Sequence, residues 1–341
     1  MARIAEPTGS PVRPSRPLPG RRLLLGAAMS FAAASGASKA QGRGHIVKLI
    51  VPYGAGNITD QVARVFVDRH TARTGQQFVV ENQPAAGGTL GAFNIAHSPT
   101  DGSVMGMVSA AALTIAPHAN RQAVRYDPVT DFMPVCGAYL SSTYLAVNAT
   151  LPVRTLEELV AYVKSRPADS PVFYCSPGNA TVPHLNIETV CRALGITMQH
   201  VPYRTSAAAN TDLLANRVQV TMDSASITVP HMQAGKLRPL AYSGATRSVE
   251  FPDVPTFREA APDARMLNAW SAFFYPKGTD QTLVDEAVSA FQATAADPAF
   301  IAKLPLAASP LLLTPTELTE RIKSENARLS QLIASLGLGQ D

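Results

Sequence analysis

At 341 residues the chain is long for one domain and comfortable for two, and its apolar and charged fractions, 46% and 16%, are those of an ordinary globular protein. The formal charge of +4 sits in the first 40 residues. There Arg3, Arg13, Arg16, Arg21, Arg22 and Lys39 face only Glu6, and taking these away leaves 23 bases against 24 acids, so the basic balance gives no case for nucleic-acid binding. Three cysteines, Cys136, Cys175 and Cys191, are an odd number with no CxxC pair, which speaks against a metal cluster.

The first predicted element is an export leader over residues 1–40. A basic, proline-rich start is followed by "LLLGAAMSFAAASGA", too short and too alanine-rich to span a membrane. Ser38 and Ala40 supply the small residues of a cleavage site after Ala40. Arg21-Arg22 before leucines suggests twin-arginine export; Gly20 in place of Ser or Thr leaves a general secretory signal as the alternative. The mature protein is expected in the periplasm.

Beyond the leader, β-branched runs alternate with helical patterns. "HIVKLIVPY" reads as a strand and "TDQVARVFVDRHTART" as a helix with Val62, Val65, Phe66 and Arg69 at helical spacing. "QFVVENQ" is a strand, "GGTLGAFNIAHSP" turns helical, and "SVMGMVSAA" is a third strand. This alternation predicts a parallel sheet with crossover helices. Turns and an extended segment fill 126–142. A second series then opens with the strand "TYLAVN" and a helix "LEELVAYVKSRP", for which Thr155 and Glu158 form a capping box. "VFYCS", "MQHVPY", "QVTMDS" and "LRPLAYSG" are further strands. "TVPHLNIETVCRALG", "SAAANTDLLANR" and "SITVPHMQAGK" lie between them, and two amphipathic helices follow "AWSAFFYPKG". Cys175 in its strand and Cys191 late in the next helix lie too far apart to bridge, so three buried free thiols are expected.

Chain crossings near 138–144 and 264–271 give two α/β lobes, one over 45–140 plus 268–341 and one over 141–267, with a cleft between them. In such sheets ligands gather at the carboxyl ends of strands. The first such loop is "VPYGAGNITD". Gly54 and Gly56 allow close backbone approach, the helix start favours negative charge, and Asn57 can donate an amide hydrogen, with Thr59 or Asp60 as cap. A P-loop needs Lys-Ser/Thr after its last glycine, where Asn-Ile stands here, and GxGxxG is absent. A carboxylate suits these neutral donors better than a phosphate; a plain tight turn is the bland alternative. "CSPGNATVPHLN" repeats the arrangement with Ser176, Gly178, Asn179 and His184. A hydrolase using Cys175 or Ser176 with His184 is the competing reading, without a sequence cue for an oxyanion hole.

"VPYGAGNITDQVAR", "VVENQPAAGGTLGAFNIAHSPTDG", "YDPVTDFMPV", "CSPGNATVPHLN", "HVPYRTSAAANTDLLANRV" and "HMQAGKLRPLAYSGATRSVEFPDVPTFREA" occur in this order. Together, from about residue 45 to the C-terminus, they make a chain that resembles the Bug (TctC-like) family, the extracytoplasmic solute-binding proteins of tripartite tricarboxylate transporters. The resemblance implies a two-lobed periplasmic binding fold of the Venus-flytrap, type II-like kind, closing on a small carboxylate (a di- or tricarboxylate, amino acid or aromatic acid). It implies partner subunits in the membrane or, alternatively, a sensor kinase, a monomeric receptor, no catalysis and no cofactor. Carried over loop by loop, the implied contacts are Tyr53, Gly54, Gly56, Asn57, Thr59 and Asp60, with Asn57 where the family usually has a second glycine. Ser109 and Ala110 follow in the same lobe. Ser176, Gly178, Asn179, His184, Tyr203 and Asp223 come from the other lobe, and Asp223 either braces the site or meets an amine. Trp270 is assigned to packing at the return crossing, and Met105, Met107, Phe273 and Phe274 to the core.

Overall fold

The computed structural model describes residues 46–306 and 308–339; the export leader and its cleavage site lie outside the described residues. The described residues open with β1 (Val47–Val51), four of whose five side chains are buried, and turn into α1 (Ile58–Thr74). Asn57 caps α1, and Gly75, left-handed at φ 79°, ends it. The next elements are β2 (Phe78–Asn82), α2 (Thr89–Ala96) and β3 (Val104–Ser109). A π-helical turn over Ala111–Ile115 then runs into α3 (Ala116–Ala119). The ten-residue β4 (Phe132–Ser141) leads, after Ser142 alone, into β5 (Thr143–Asn148).

The second series runs α4 (Leu156–Ser165), β6 (Phe173–Ser176), α5 (Val182–Leu194), β7 (Gln199–Pro202), α6 (Ser206–Leu214), β8 (Val220–Ser224), α7 (Ala225–Gln233), β9 (Leu237–Tyr242) and α8 (Phe257–Ala260). The chain returns through β10 (Ala269–Pro276), α9 (Gln281–Ala295), α10 (Pro298–Ile301), β11 (Ala308–Pro310) and α11 (Pro315–Ser335). Capping is local and legible: Thr181 for α5, Thr205 for α6, and full capping boxes at Thr256/Glu259 and Thr314/Glu317. The box expected at Thr155 is only half made. Thr155 accepts from the Glu158 amide, but the Glu158 carboxylate takes the N–H of Arg154 instead.

Two sheets result, ordered β11-β4-β10-β3-β1-β2 and β7-β6-β8-β5-β9. Each is parallel only at its heart: β1 runs parallel to β2 and β3, and β6 to β7 and β8. The expected parallel sheet is corrected by β4, β5 and β10, at the chain crossings between the sheets, and by β11, which all pair antiparallel. A strand that enters a sheet from the other one has no crossover helix to reverse it.

Both faces of each sheet are buried. Phe66, Phe273, Phe291 and Phe300 pack on one face of the first sheet; Trp270, Phe274, Leu318 and Ile322 fill the other. Met105, Met107, Phe273 and Phe274 are core, as expected. Trp270 is fully buried, its Nε1–H donating to both oxygens of Glu325. A smaller cluster joins the two sheets' helices: Ile115, Leu329 and Ile333 meet Leu185 and Leu267. Cys136, Cys175 and Cys191 are buried and free, in agreement with the sequence. Among the described residues no helix is long and apolar enough to cross a membrane.

Candidate functional site

The loop after β1 is a self-braced corner. The cap of α1 is Asn57, not Thr59 or Asp60: its Oδ1 accepts the N–H groups of Thr59 at 2.7 Å and Asp60 at 3.4 Å. Asp60 holds the loop from inside, accepting from Gly56 N at 2.8 Å, Asn82 Nδ2 at 2.9 Å and Arg64 Nε at 3.0 Å. Burial pushes its carboxyl up, but the bonds from Arg64, Gly56 and Asn82 outweigh this and hold it below the usual range. Thr59 is buried too, its hydroxyl on Tyr139 Oη at 2.9 Å. What the corner leaves open is the set of N–H groups at Gly54, Ala55 and Ile58, which bond no acceptor among the described residues, and the Asn57 carboxamide N–H.

Tyr53 turns across this corner. Its hydroxyl donates to Gly87 O at 3.3 Å and sits in close hydrogen bond with Ser109 Oγ at the end of β3; burial pushes it to about 12. Gly88, at φ 97°, lies so close that a Cβ there would meet Tyr53 Oη at 2.7 Å. Ala110 is buried beside Ser109. One strand over, Ser271 stands in register with Ser109 and Tyr139, its side chain fully buried.

The second lobe presents a matching corner after β6. Ser176 Oγ donates to Gly178 O at 2.9 Å and lies 2.7 Å from His200 Nε2. Since the hydroxyl proton is committed to Gly178, His200 is the donor in the latter bond. His184, in the first turn of α5, accepts the Ala180 N–H on Nδ1 at 3.0 Å, which places its own proton on Nε2. The imidazoles of His184 and His200 stack at 4.0 Å and 9°, with Tyr174 continuing the stack at 4.8 Å. Burial lowers both histidines to about 4, so both are neutral at neutral pH. The stack supports a strained turn, with Gly178 at φ 140° and Ala180 at φ 54°. Asn179 is exposed at its tip.

Tyr203 donates its backbone N–H to Ser176 O at 2.9 Å, closing the corner, but its hydroxyl turns away onto Asp212 at 2.7 Å. Asp223 ends β8, only 6% exposed, with Oδ1 on the Ser224 N–H at 2.7 Å. Burial raises its pKa, against hydrogen bonds from Ser206 and Ser224.

Thus Tyr53, Gly54, Gly56, Asn57 and Ser109 form one corner and Ser176, Gly178, Asn179 and His184 the other. Thr59, Asp60 and Tyr203 brace from behind, and Asp223 lies at the next strand end. The sequence missed His200, Asn82 and Gly87-Gly88. His200 could have been found from register, since β7 lies beside β6 with Tyr174 opposite His200. Asn82 likewise pairs with Val51 at the end of β1.

The chemistry of this set is donation. Cys175 is fully buried, with burial pushing its thiol to about 11. Ser176 bonds His200 rather than His184, in the direction that keeps its own proton. Neither arrangement activates a nucleophile. Neutral donors at the two corners suit an anionic oxygen ligand.

A sequence profile described as "Tripartite tricarboxylate transporter family receptor" matches residues 62–338. Among solved structures, the periplasmic binding protein BugD is 28% identical, with a TM-score of 0.70, over 87% of this chain and 99% of that one. Rpa4515 of R. palustris, solved with adipate, is 28% identical, with a TM-score of 0.74, over 87% and 98%. MatC (Rpa3494) from Rhodopseudomonas palustris, with bound malate, is 26% identical, with a TM-score of 0.68, over 85% and 99%. The two-sheet α/β fold is that of the periplasmic binding proteins.

Proposed function

As the chain belongs to the tripartite tricarboxylate transporter receptor family, we propose that it is an exported receptor that closes on a small dicarboxylate and presents it to the membrane subunits of such a transporter. The observation that carries this reading is the pair of corners: the N–H groups of Gly54, Ala55 and Ile58 with the Asn57 carboxamide in one, and the His184 Nε2–H beside Ser176–Asn179 in the other, neither including a lysine or arginine. Neutral donors hold a carboxylate while leaving its release cheap, which a carrier needs and a storage site does not. The malate and adipate found in the two similar proteins support a four- to six-carbon diacid. The continuous strands β4–β5, broken only at Ser142, and the return through β10 serve as the hinge for closure. The leader before residue 41 supplies export to the periplasm.

Thermal melts against succinate, malate, adipate, citrate, amino acids and aromatic acids test the reading. A ligand at a hundred times its dissociation constant adds about 2.7 kcal/mol, on the order of 5 °C for a chain of this size. A diacid is expected to produce that shift and its diamide to produce none. No shift with any carboxylate overturns the reading.

A further inference from the structure

The geometry points to a second anion site, separate from the cleft, which takes a small multivalent oxyanion of phosphate or tricarboxylate type at the junction of the two lobes. A cavity of about 460 Å³ opens there, lined by Leu140 at the end of β4, Ser243 and Gly244 after β9, Arg258 on α8, Arg265 and Asn268 on the return crossing, and Arg321 on α11. None of the corner residues around Tyr53 or Ser176 lines it.

Three arginines from three separate segments line this space, and among the described residues no acidic side chain lines it. Arg321 is held in place: its Nε donates to Glu325 at 2.9 Å, and its guanidinium lies 5.3 Å over the Trp270 ring. Arg258 and Arg265 are exposed and make no ion pair among the described residues. The acid next to Arg258, Glu259, is committed to Arg247 and to the cap of α8. Behind the cavity Arg328 donates to Arg265 O at 2.8 Å; burial depresses its pKa, Glu325 opposes this, and Arg265 and Arg321 add to it. Arg328 thus lies within electrostatic reach of Arg265, Arg321 and Glu325.

Like charges lining one cavity repel, and a bidentate oxyanion relieves that repulsion while using the fork geometry of guanidinium. A lysine-free, arginine-only lining favours planar or tetrahedral oxyanions over halide. The volume accommodates phosphate and tricarboxylate alike. Because Arg258 belongs to the second lobe and Arg321 to the first, an occupant ties the lobes together beside the hinge.

Calorimetric titration with inorganic phosphate and, separately, citrate tests the site in three proteins: wild type, R258Q/R265Q, and the cleft variant S176A. The side chains of Arg258 and Arg265 make no native hydrogen bond among the described residues, so the double variant is expected to keep its melting temperature without ligand. At least one of the two anions is expected to bind wild type and S176A alike and to bind R258Q/R265Q at least tenfold more weakly. Phosphate as the sensitive probe identifies a free-phosphate site; citrate identifies a tricarboxylate site. The inference fails if neither anion binds at millimolar concentration, if the double variant binds both as well as wild type, or if S176A alone loses binding. None of these outcomes depends on the cleft taking a diacid.

Discussion

The imidazoles of His184 and His200 lie parallel 4.0 Å apart, although one enters from α5 and the other from β7. Both are neutral in the fold, and their bonds to Ala180 N and Ser176 Oγ hold the second-lobe corner in its strained form. A second proton here would place two cations face to face without a counter-ion in contact.

Stability therefore has a defined acid dependence. The unfolded imidazole takes up a proton near 6.5, whereas burial keeps His184, His200 and also His70 neutral until about 4. Between those values the unfolded state binds more protons, so stability is full above about pH 6.5, falls as pH falls, and levels off below about 4. For His184, only 4% exposed, the loss is on the order of 3 kcal/mol. Urea unfolding at a series of pH values is expected to show this slope, and H184F is expected to reduce it. An unchanged slope in H184F contradicts the assignment.

Asn57 carries two roles that substitution separates. N57A removes the cap on Thr59 and Asp60 and is expected to cost about 1 kcal/mol, whereas N57G costs a few tenths. Both lose the side-chain N–H, so both are expected to weaken or re-rank diacid binding while differing in stability. Equal affinities for every diacid in wild type and N57G would make the loop a scaffold only.

Gly88 and Tyr53 are coupled by contact. G88A places a Cβ 2.7 Å from Tyr53 Oη at a backbone φ of 97°, so the tyrosine must move and release Ser109. G54A meets no atom within 4 Å. The expected order is a tenfold or greater loss of ligand affinity in G88A, with G54A close to wild type, measured by titration on folded protein.

The fold was legible in the sequence because its signals are local. Alternating β-branched runs and helical spacing located β1 to β3 and β5 to β9, and Thr155 marks a real helix start. The antiparallel crossing strands were not legible: strand direction depends on where the chain has come from, which spacing does not encode. At the site, glycine-rich loops announced the two corners, but what each polar atom bonds did not follow from type. Asn57 proved to be a cap, and Thr59 bonds a tyrosine 80 residues away. His200 reached Ser176 through register between neighbouring strands. Asp60, expected as cap or contact, braces the loop from behind.

Ser243 joins both crossings between the lobes. Its hydroxyl accepts the Thr143 N–H at 2.8 Å and donates to Asn268 Oδ1 at 2.8 Å. S243A leaves a buried amide without its partner and is expected to destabilise by about 1–3 kcal/mol. It touches neither corner, so diacid affinity is expected to change less than stability does. A large affinity loss without destabilisation would contradict this placement of Ser243.

The central claim is that the two corners together hold a small dicarboxylate. Calorimetric titration of malate, succinate and adipate into wild type, Y53F and S176A tests it most directly. The account predicts one-to-one binding of at least one diacid, weakened about fivefold or more by each substitution, since Y53F frees Ser109 and S176A removes the hydroxyl that ties His200 to the Gly178 turn, each a hydrogen bond of about 1 kcal/mol. Diacid binding that neither substitution alters, or no diacid binding by folded wild-type protein, would contradict it.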